Sequence, residues 1–284
     1  MRRLRLRRRR GRKDIESFGP RTPLKAIVPN LITSMAACAG IVSISLSSEG
    51  RFTHALMALL FACVCDGMDG RIARLLKASS RLGAELDSLA DFVNFGVAPA
   101  MFMYFWLTGG PGHDGFDPRT VRLVLGASLF YALCDCFRLA RFNTMLEQPP
   151  LPYWKHFFTG VPAPGGCWLV LTPAILCIAL EARDCLPAVE SLLRNPVFGS
   201  FILFAIGSLM ASRLPTISLK ALHFKNRRQA RLFLAVALLA IALLFADLWL
   251  TLGIGGVLYL ASIPLTCAKF LSARAGYEAA KGNP

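Results

Sequence analysis

Three features of the sequence predict an all-α polytopic membrane protein: eight apolar runs of bilayer length, a 55% hydrophobic composition over 284 residues, and a net charge of +15 kept largely out of those runs. A membrane span needs about 20 apolar helical residues, because in lipid each backbone N–H and C=O has to be satisfied within the protein. The runs fall at about residues 28–47, 53–70, 84–107, 120–141, 157–180, 197–213, 229–249 and 254–271. Such a composition excludes an ordinary soluble globular domain.

Ahead of the first span, residues 1–25 hold eleven Lys or Arg against Asp14 and Glu16. This basic arm, 1–27, reads as an uncleaved cytosolic extension that can lie on anionic headgroups. The run behind it is of full membrane length and contains Pro29 and Asn30, features of a retained helix rather than a discarded signal. No aromatic-interleaved basic domain accompanies the arm, so membrane lipids are expected partners and nucleic acid is not. With the N-terminus inside, 27 of the 32 Lys and Arg gather at one membrane face, leaving Arg51, Arg119, Arg122, Arg183 and Arg194 on the other. The positive-inside rule then puts both termini in the cytosol.

The second and third spans carry the chemistry. Asp66, Asp69, Gly70, Ala73 and Arg74 fall within an arc of about 140° at 100° per residue, and Asp87 and Asp91 repeat at i, i+4 on the next helix. An Asp at the centre of a span costs roughly 2.5–3.5 kcal/mol, so four unpaired ones would approach about 10 kcal/mol and demand a cation. The short connection Lys77–Arg81 makes the two helices antiparallel neighbours and brings all four carboxylates to similar depth near the cytosolic face. Oxygen ligands without nearby His or paired Cys suit Mg²⁺ or Mn²⁺ rather than zinc. The nine Cys residues show no Cys-x-x-Cys spacing and read as apolar packers.

The pattern Asp-x-x-Asp-Gly-x-x-Ala-Arg, eight residues, Gly-x-x-x-Asp-x-x-x-Asp resembles the signature of the CDP-alcohol phosphotransferases at every defined position. That resemblance implies transfer of a substituted phosphoryl group from a CDP-linked donor to a hydroxyl, with release of CMP, in a metal-dependent six-helix core. Here the core would be 28–213, followed by a basic cytosolic loop 214–228, two added transmembrane helices over 229–271 and a cytosolic tail 272–284. Asp66, Asp69 and Asp87 are the expected metal ligands, with two ions per site. Asp91 is the expected base that takes the acceptor's proton, metal ligation being its competing role. Arg74 suits a donor phosphate. Gly70, Ala73 and Gly83 leave room for the nucleotide, or else allow close helix packing. Asn30 and Thr33 are placed for donor hydrogen bonds, a helix-start role being the alternative.

Further stretches resemble the membrane-bound type II phosphatidylserine synthases within that family: Arg138-Leu139-Ala140-Arg141-Phe142-Asn143, Gly160-x-Pro162-x-Pro164 and Ser208-Leu209-Met210-Ala211-Ser212. The implied substrates are CDP-diacylglycerol and L-serine, with Arg138, Arg141 and Asn143 as serine-binding residues. Positive-inside anchoring is the other reading of the two arginines, and helix capping that of Asn143. Asp135, three residues before Arg138, can pair with it but is not part of the family pattern. Glycerol 3-phosphate, inositol phosphate or choline are the alternative acceptors, and an ion-coupled transporter is the alternative class. The covalent His-x-Lys-x-x-x-x-Asp mechanism is absent, since His223-Phe224-Lys225 is followed by Ala230 where Asp is required. The expected location is a bacterial inner membrane; assembly as a homodimer stays open.

Overall fold

The computed structural model describes residues 24–78, 80–109, 115–145, 157–181, 183, 186–212, 215–217 and 227–281. The basic arm up to residue 23, Lys155 and most of the basic loop 214–228 lie outside these residues. The chain is helical throughout apart from two three-residue strands: α1 (Leu24–Ser48), α2 (Phe52–Leu75), α3 (Arg81–Asp91), a π-helical segment (Phe92–Val97), α4 (Ala98–Thr108), α5 (Pro118–Met145), β1 (Phe157–Thr159), α6 (Ala163–Glu181), α7 (Pro187–Leu193), α8 (Pro196–Ala211), β2 (Pro215–Ile217), α9 (Arg227–Ala246) and α10 (Leu248–Lys281). Each expected apolar run overlaps a helix.

Among the described residues, four helices are long and apolar enough to cross a membrane: Ile27–Ser48, Pro118–Thr144, Ala163–Glu181 and Leu248–Thr266. The bent pair α7–α8, at 58°, makes a fifth when counted as one span. The protein is an integral membrane protein. The expected count of about eight spans is not reached by the same criterion among the described residues, for physical reasons. Asp66, Asp69, Arg71 and Arg74 crowd the last turns of α2. The third run is a continuous helical path interrupted by a π-helical turn, a feature frequent at functional sites.

Local signals explain the boundaries. Ser80 caps α3 by accepting from the Gly83 N–H at 3.0 Å, and Asn195 caps α8 through the Val197 and Phe198 N–H groups, with Pro196 in the first turn. The fifth expected run, 157–180, starts as helix only at Ala163. Gly160 has φ +78° and Pro162 lacks an N–H, so the chain breaks there, while residues 157–159 pair antiparallel with 215–217. This ribbon, Thr159 opposite Pro215 and Phe157 opposite Ile217, was not expected from the sequence.

α1 packs along α2 and also against α3, the π segment and α4; α5 packs along α8; α6 lies between them, touching α4, the π segment, α8 and α10. Phe95, Phe102, Met103, Tyr131, Val170 and Leu203 are fully or almost fully buried at the centre. α10 is a close partner of this core: Trp168 of α6 donates from Nε1 to the Leu252 carbonyl at 3.0 Å, and its ring stacks on Tyr259. α9, by contrast, packs chiefly on α10 and leaves Leu232, Leu239 and Phe245 outward, as a lipid-facing helix does.

Candidate active site

α2 ends and α3 begins at the same end of the bundle, joined by the tight connection through Lys77 at φ +49°. The consequence is the convergence that the spacing implied. One carboxylate oxygen from each of Asp66, Asp69 and Asp87 lies within 4.8 Å of the other two, the one such group of potential ligands among the described residues. All three donors are hard oxygens, which fits a divalent cation of the Mg²⁺ or Mn²⁺ type and not a thiophilic one. The Asp91 carboxyl lies within hydrogen-bonding reach of Asp66, so the fourth acid joins the group through that neighbour.

α1 supplies the support. Thr33 is 4% exposed and donates from Oγ1 to Asp69 Oδ2 at 2.5 Å, with a second contact to the Pro29 carbonyl at 3.1 Å. Asp69, 3% exposed, is therefore held from behind by a hydroxyl, the outer-shell arrangement that fixes a carboxylate ligand. The sequence suggested Thr33 as a donor contact or a helix-start residue; its hydroxyl has Asp69 as the shorter of its two acceptors.

A cavity of about 160 Å³ opens beside the acids, lined by Asn30, Thr33, Asp69, Gly70, Ala73, Gly83 and Asp87 together with Pro29, Ala78, Ser80 and Ala84. Seven residues singled out in the sequence thus share one wall. The two glycines differ in what they provide. A Cβ on Gly70 would meet nothing within 4 Å, so that position leaves open space. A Cβ on Gly83 would stand 2.9 Å from Asn30 Oδ1 and 3.1 Å from Ser80 Oγ, so that glycine permits close approach of α1 and α3. Arg74 is exposed, and its Nε donates to the Gly70 carbonyl at 3.0 Å, which anchors the stem at the cavity edge.

The second group of expected residues sits on α5. Arg138 is largely buried, its side chain 12% exposed; Nε pairs with Asp135 Oδ1 at 3.3 Å, and the guanidinium is within electrostatic range of Asp91. Arg141 has different partners. Its Nη1 donates to the Ala211 carbonyl at 2.8 Å, and Nη2 to those of Ser212 at 3.0 Å and Met210 at 3.4 Å. The last carbonyls of α8 lack intrahelical partners, and a guanidinium fork satisfies them. Gly160 completes this cluster: its Cβ would stand 2.7 Å from the Met210 carbonyl and 3.3 Å from Arg141 Nη2. The three stretches 138–143, 160–164 and 208–212 therefore meet in space. Asn143 donates from Nδ2 to Ser88 Oγ at 3.1 Å, tying the end of α5 to the helix that carries Asp87 and Asp91.

Asn94 and the π turn that carries it were not expected from the sequence. Asn94 within it is 1% exposed, and neither amide atom has a hydrogen-bond partner among the described residues. Tyr131 donates its hydroxyl to the Phe95 carbonyl at 2.8 Å. The one available signal was Asn94 and Gly96 inside an otherwise apolar run.

Fold and site together define an integral membrane protein with a cluster of three carboxylates, able to hold a cation, at one end of its helices. The family model described as CDP-alcohol phosphatidyltransferase matches residues 26–194, and that described as CDP-alcohol phosphatidyltransferase 2 matches 231–264. A Mycobacterium tuberculosis (strain ATCC 25618 / H37Rv) protein named CDP-diacylglycerol--serine O-phosphatidyltransferase is 32% identical over 239 residues, 84% of this chain and 77% of that protein. Proteins of the same name from Mycobacterium leprae and Helicobacter pylori (strain J99 / ATCC 700824) are 40% identical over 156 residues and 35% over 157; each match covers 55% of this chain, and 48% and 59% of those proteins respectively. The chain belongs to the CDP-alcohol phosphatidyltransferase family.

Proposed function

We propose that the protein transfers the phosphatidyl group of CDP-diacylglycerol to the hydroxyl of L-serine, releasing CMP, at the cytosolic face of the membrane. The observation that carries the reading is the convergence of Asp66, Asp69 and Asp87 beside a cavity, with Asp91 next to Asp66 and the largely buried Arg138 within electrostatic range of Asp91. The relatives' names favour serine as the acceptor. Mg²⁺ or Mn²⁺, two ions in a full site, held by Asp66, Asp69 and Asp87, would neutralise the donor pyrophosphate and make its phosphorus accessible to a nucleophile.

The chain's own groups account for the remaining demands. Arg74, anchored at the cavity edge, adds a fork for a donor phosphate. Gly70 and Ala73 leave the wall flat enough for the nucleotide, with Asn30 offering an amide. Serine's hydroxyl is barely ionised near neutral pH, so Asp91 takes its proton as the oxygen attacks the phosphatidyl phosphorus and the P–O bond to CMP breaks. Arg138 takes the serine carboxylate: neither of its terminal nitrogens has a hydrogen-bond partner among the described residues, and it lies within electrostatic range of Asp91. Arg141 and Asn143 support that site, Arg141 by tying α5 to α8 and Asn143 by tying it to α3.

Purified protein incubated with CDP-diacylglycerol, Mn²⁺ and serine is expected to yield phosphatidylserine and CMP. Equal turnover of glycerol 3-phosphate, or ready turnover of serine methyl ester, would refute the serine assignment and leave the phosphotransferase intact. Product formation without CMP release would refute both.

A further inference from the structure

We propose that Asp135 is the positioning residue of the acceptor site: it holds the Arg138 guanidinium by Nε so that both terminal nitrogens face the acceptor beside Asp91. The inference rests on the assignment of the serine carboxylate to Arg138.

The geometry of the pair is wrong for a stabilising salt bridge. Asp135 and Arg138 are three residues apart on one helix, so their contact ties no two elements together. Surface pairs at that spacing contribute little, and burial makes the carboxylate expensive. Yet the Asp135 side chain is 0% exposed. A pair built for strength would be bidentate, fork to fork. Here a single 3.3 Å contact joins Nε to Oδ1, and Asp135 Oδ2 has no hydrogen-bond partner among the described residues. A side-on grip through Nε fixes the plane of the guanidinium and leaves the Nη edge, the one that binds a carboxylate in parallel, for another anion.

The surroundings box Asp135 into place. A Cβ on Gly96 would stand 2.8 Å from Asp135 Oδ2, so the π segment reaches the carboxylate only because residue 96 is glycine. One turn earlier on the same face of α5, Tyr131 pins the Phe95 carbonyl. Three successive turns of α5 therefore meet the helix of Asp91: Tyr131 at Phe95, Asp135 at Gly96, and Arg138 within range of Asp91 itself. A positive-inside anchor needs none of this and would have its arginine at the surface.

The test compares the full-length enzyme with D135N, R138A, the double variant D135N/R138A and G96A, reading the KM for serine and for CDP-diacylglycerol. R138A is expected to raise the serine KM at least ~10-fold, and D135N by about the same factor, each with the donor KM within about two-fold. The double variant is expected to be no worse than R138A, because Asp135 acts only through that arginine. G96A leaves both charges in place while its Cβ meets the Asp135 carboxylate at 2.8 Å and the Phe92 ring at 3.0 Å; it carries the same expectation for the serine KM, so the inference is decided even where losing the buried charge lowers expression. If D135N leaves the serine KM unchanged, multiplies with R138A, or raises the donor KM equally, the positioning role is overturned while the acceptor reading stands. If R138A itself leaves the serine KM unchanged, the acceptor reading falls and takes this inference with it.

Discussion

Replacing Thr33 with Val removes one hydroxyl and tests how the cation site is built. Both Thr33 and Asp69 are almost fully buried, and the 2.5 Å hydrogen bond between them is the only side-chain hydrogen bond to Asp69 from α1 among the described residues. A hydrogen bond to a charged group contributes about 1.5–3 kcal/mol, or roughly 10- to 150-fold in an equilibrium constant. Loss of an outer-shell partner of a metal ligand independently suggests a cost of about 10- to 100-fold in metal affinity. The expected outcome for Thr33→Val is a rise of that size in the half-saturating Mn²⁺ concentration, measured at saturating CDP-diacylglycerol and serine. The maximal rate at excess metal should stay within about three-fold, since the ligands themselves remain. Thr33→Ser, which keeps the hydroxyl, should behave nearly as the parent. The reasoning is refuted if the metal titration does not move and the donor KM rises instead, for then Thr33 contacts the donor and its bond to Asp69 is incidental.

Asp66→Ala, Asp69→Ala and Asp87→Ala are each expected to lose at least ~10²-fold in rate, and excess Mn²⁺ should recover part of it. Asp91→Asn should keep donor binding and lose transfer; a fall in CDP-diacylglycerol affinity matching the fall in rate would assign it to the metal instead. Gly70→Ala should fold normally and raise the donor KM, whereas Gly83→Ala should lower the thermal midpoint because its methyl group meets Asn30 and Ser80; the reverse pattern would mean the two glycines have been assigned the wrong way round. Cys residues introduced at positions 78 and 220 should be labelled from the cytosolic side of sealed vesicles, and labelling only from the opposite side would invert the topology.

The acid site was legible because its information is local. Helical periodicity alone puts Asp66 with Asp69 and Asp87 with Asp91, and a connection as short as Lys77–Arg81 leaves antiparallel neighbours as the economical arrangement. What periodicity does not encode is where a side chain finds its partner across helices. Thr33 reads equally as a donor contact or a helix-start residue until α1 is seen against Asp69. The β1–β2 ribbon depends on pairing between two loops distant in sequence, and each strand is too short to carry an alternating pattern. The π turn has no sequence period; it shows only as Asn94 and Gly96 set in a run that otherwise reads as one span.

The two arginines of α5 show that limit most clearly. Residues three apart differ by only about 60° around a helix, so Arg138 and Arg141 present the same face and sequence offers no ground for separating them. Their surroundings do. Arg141 lies beside the end of α8, where three carbonyls take its fork, and Lys cannot reproduce three divergent contacts from one point charge. Arg141→Lys is therefore expected to lower the thermal midpoint and leave the serine KM within about two-fold. Arg138→Lys should do the converse, raising the serine KM with little change in melting, because its contact with Asp135 joins no two helices. Both variants keep the charge and both are three residues apart, so neither the positive-inside bias nor the local field can produce opposite phenotypes. If the two variants raise the serine KM alike, with unchanged melting, α8 does not hold Arg141 in the working enzyme and the acceptor carboxylate is shared between them.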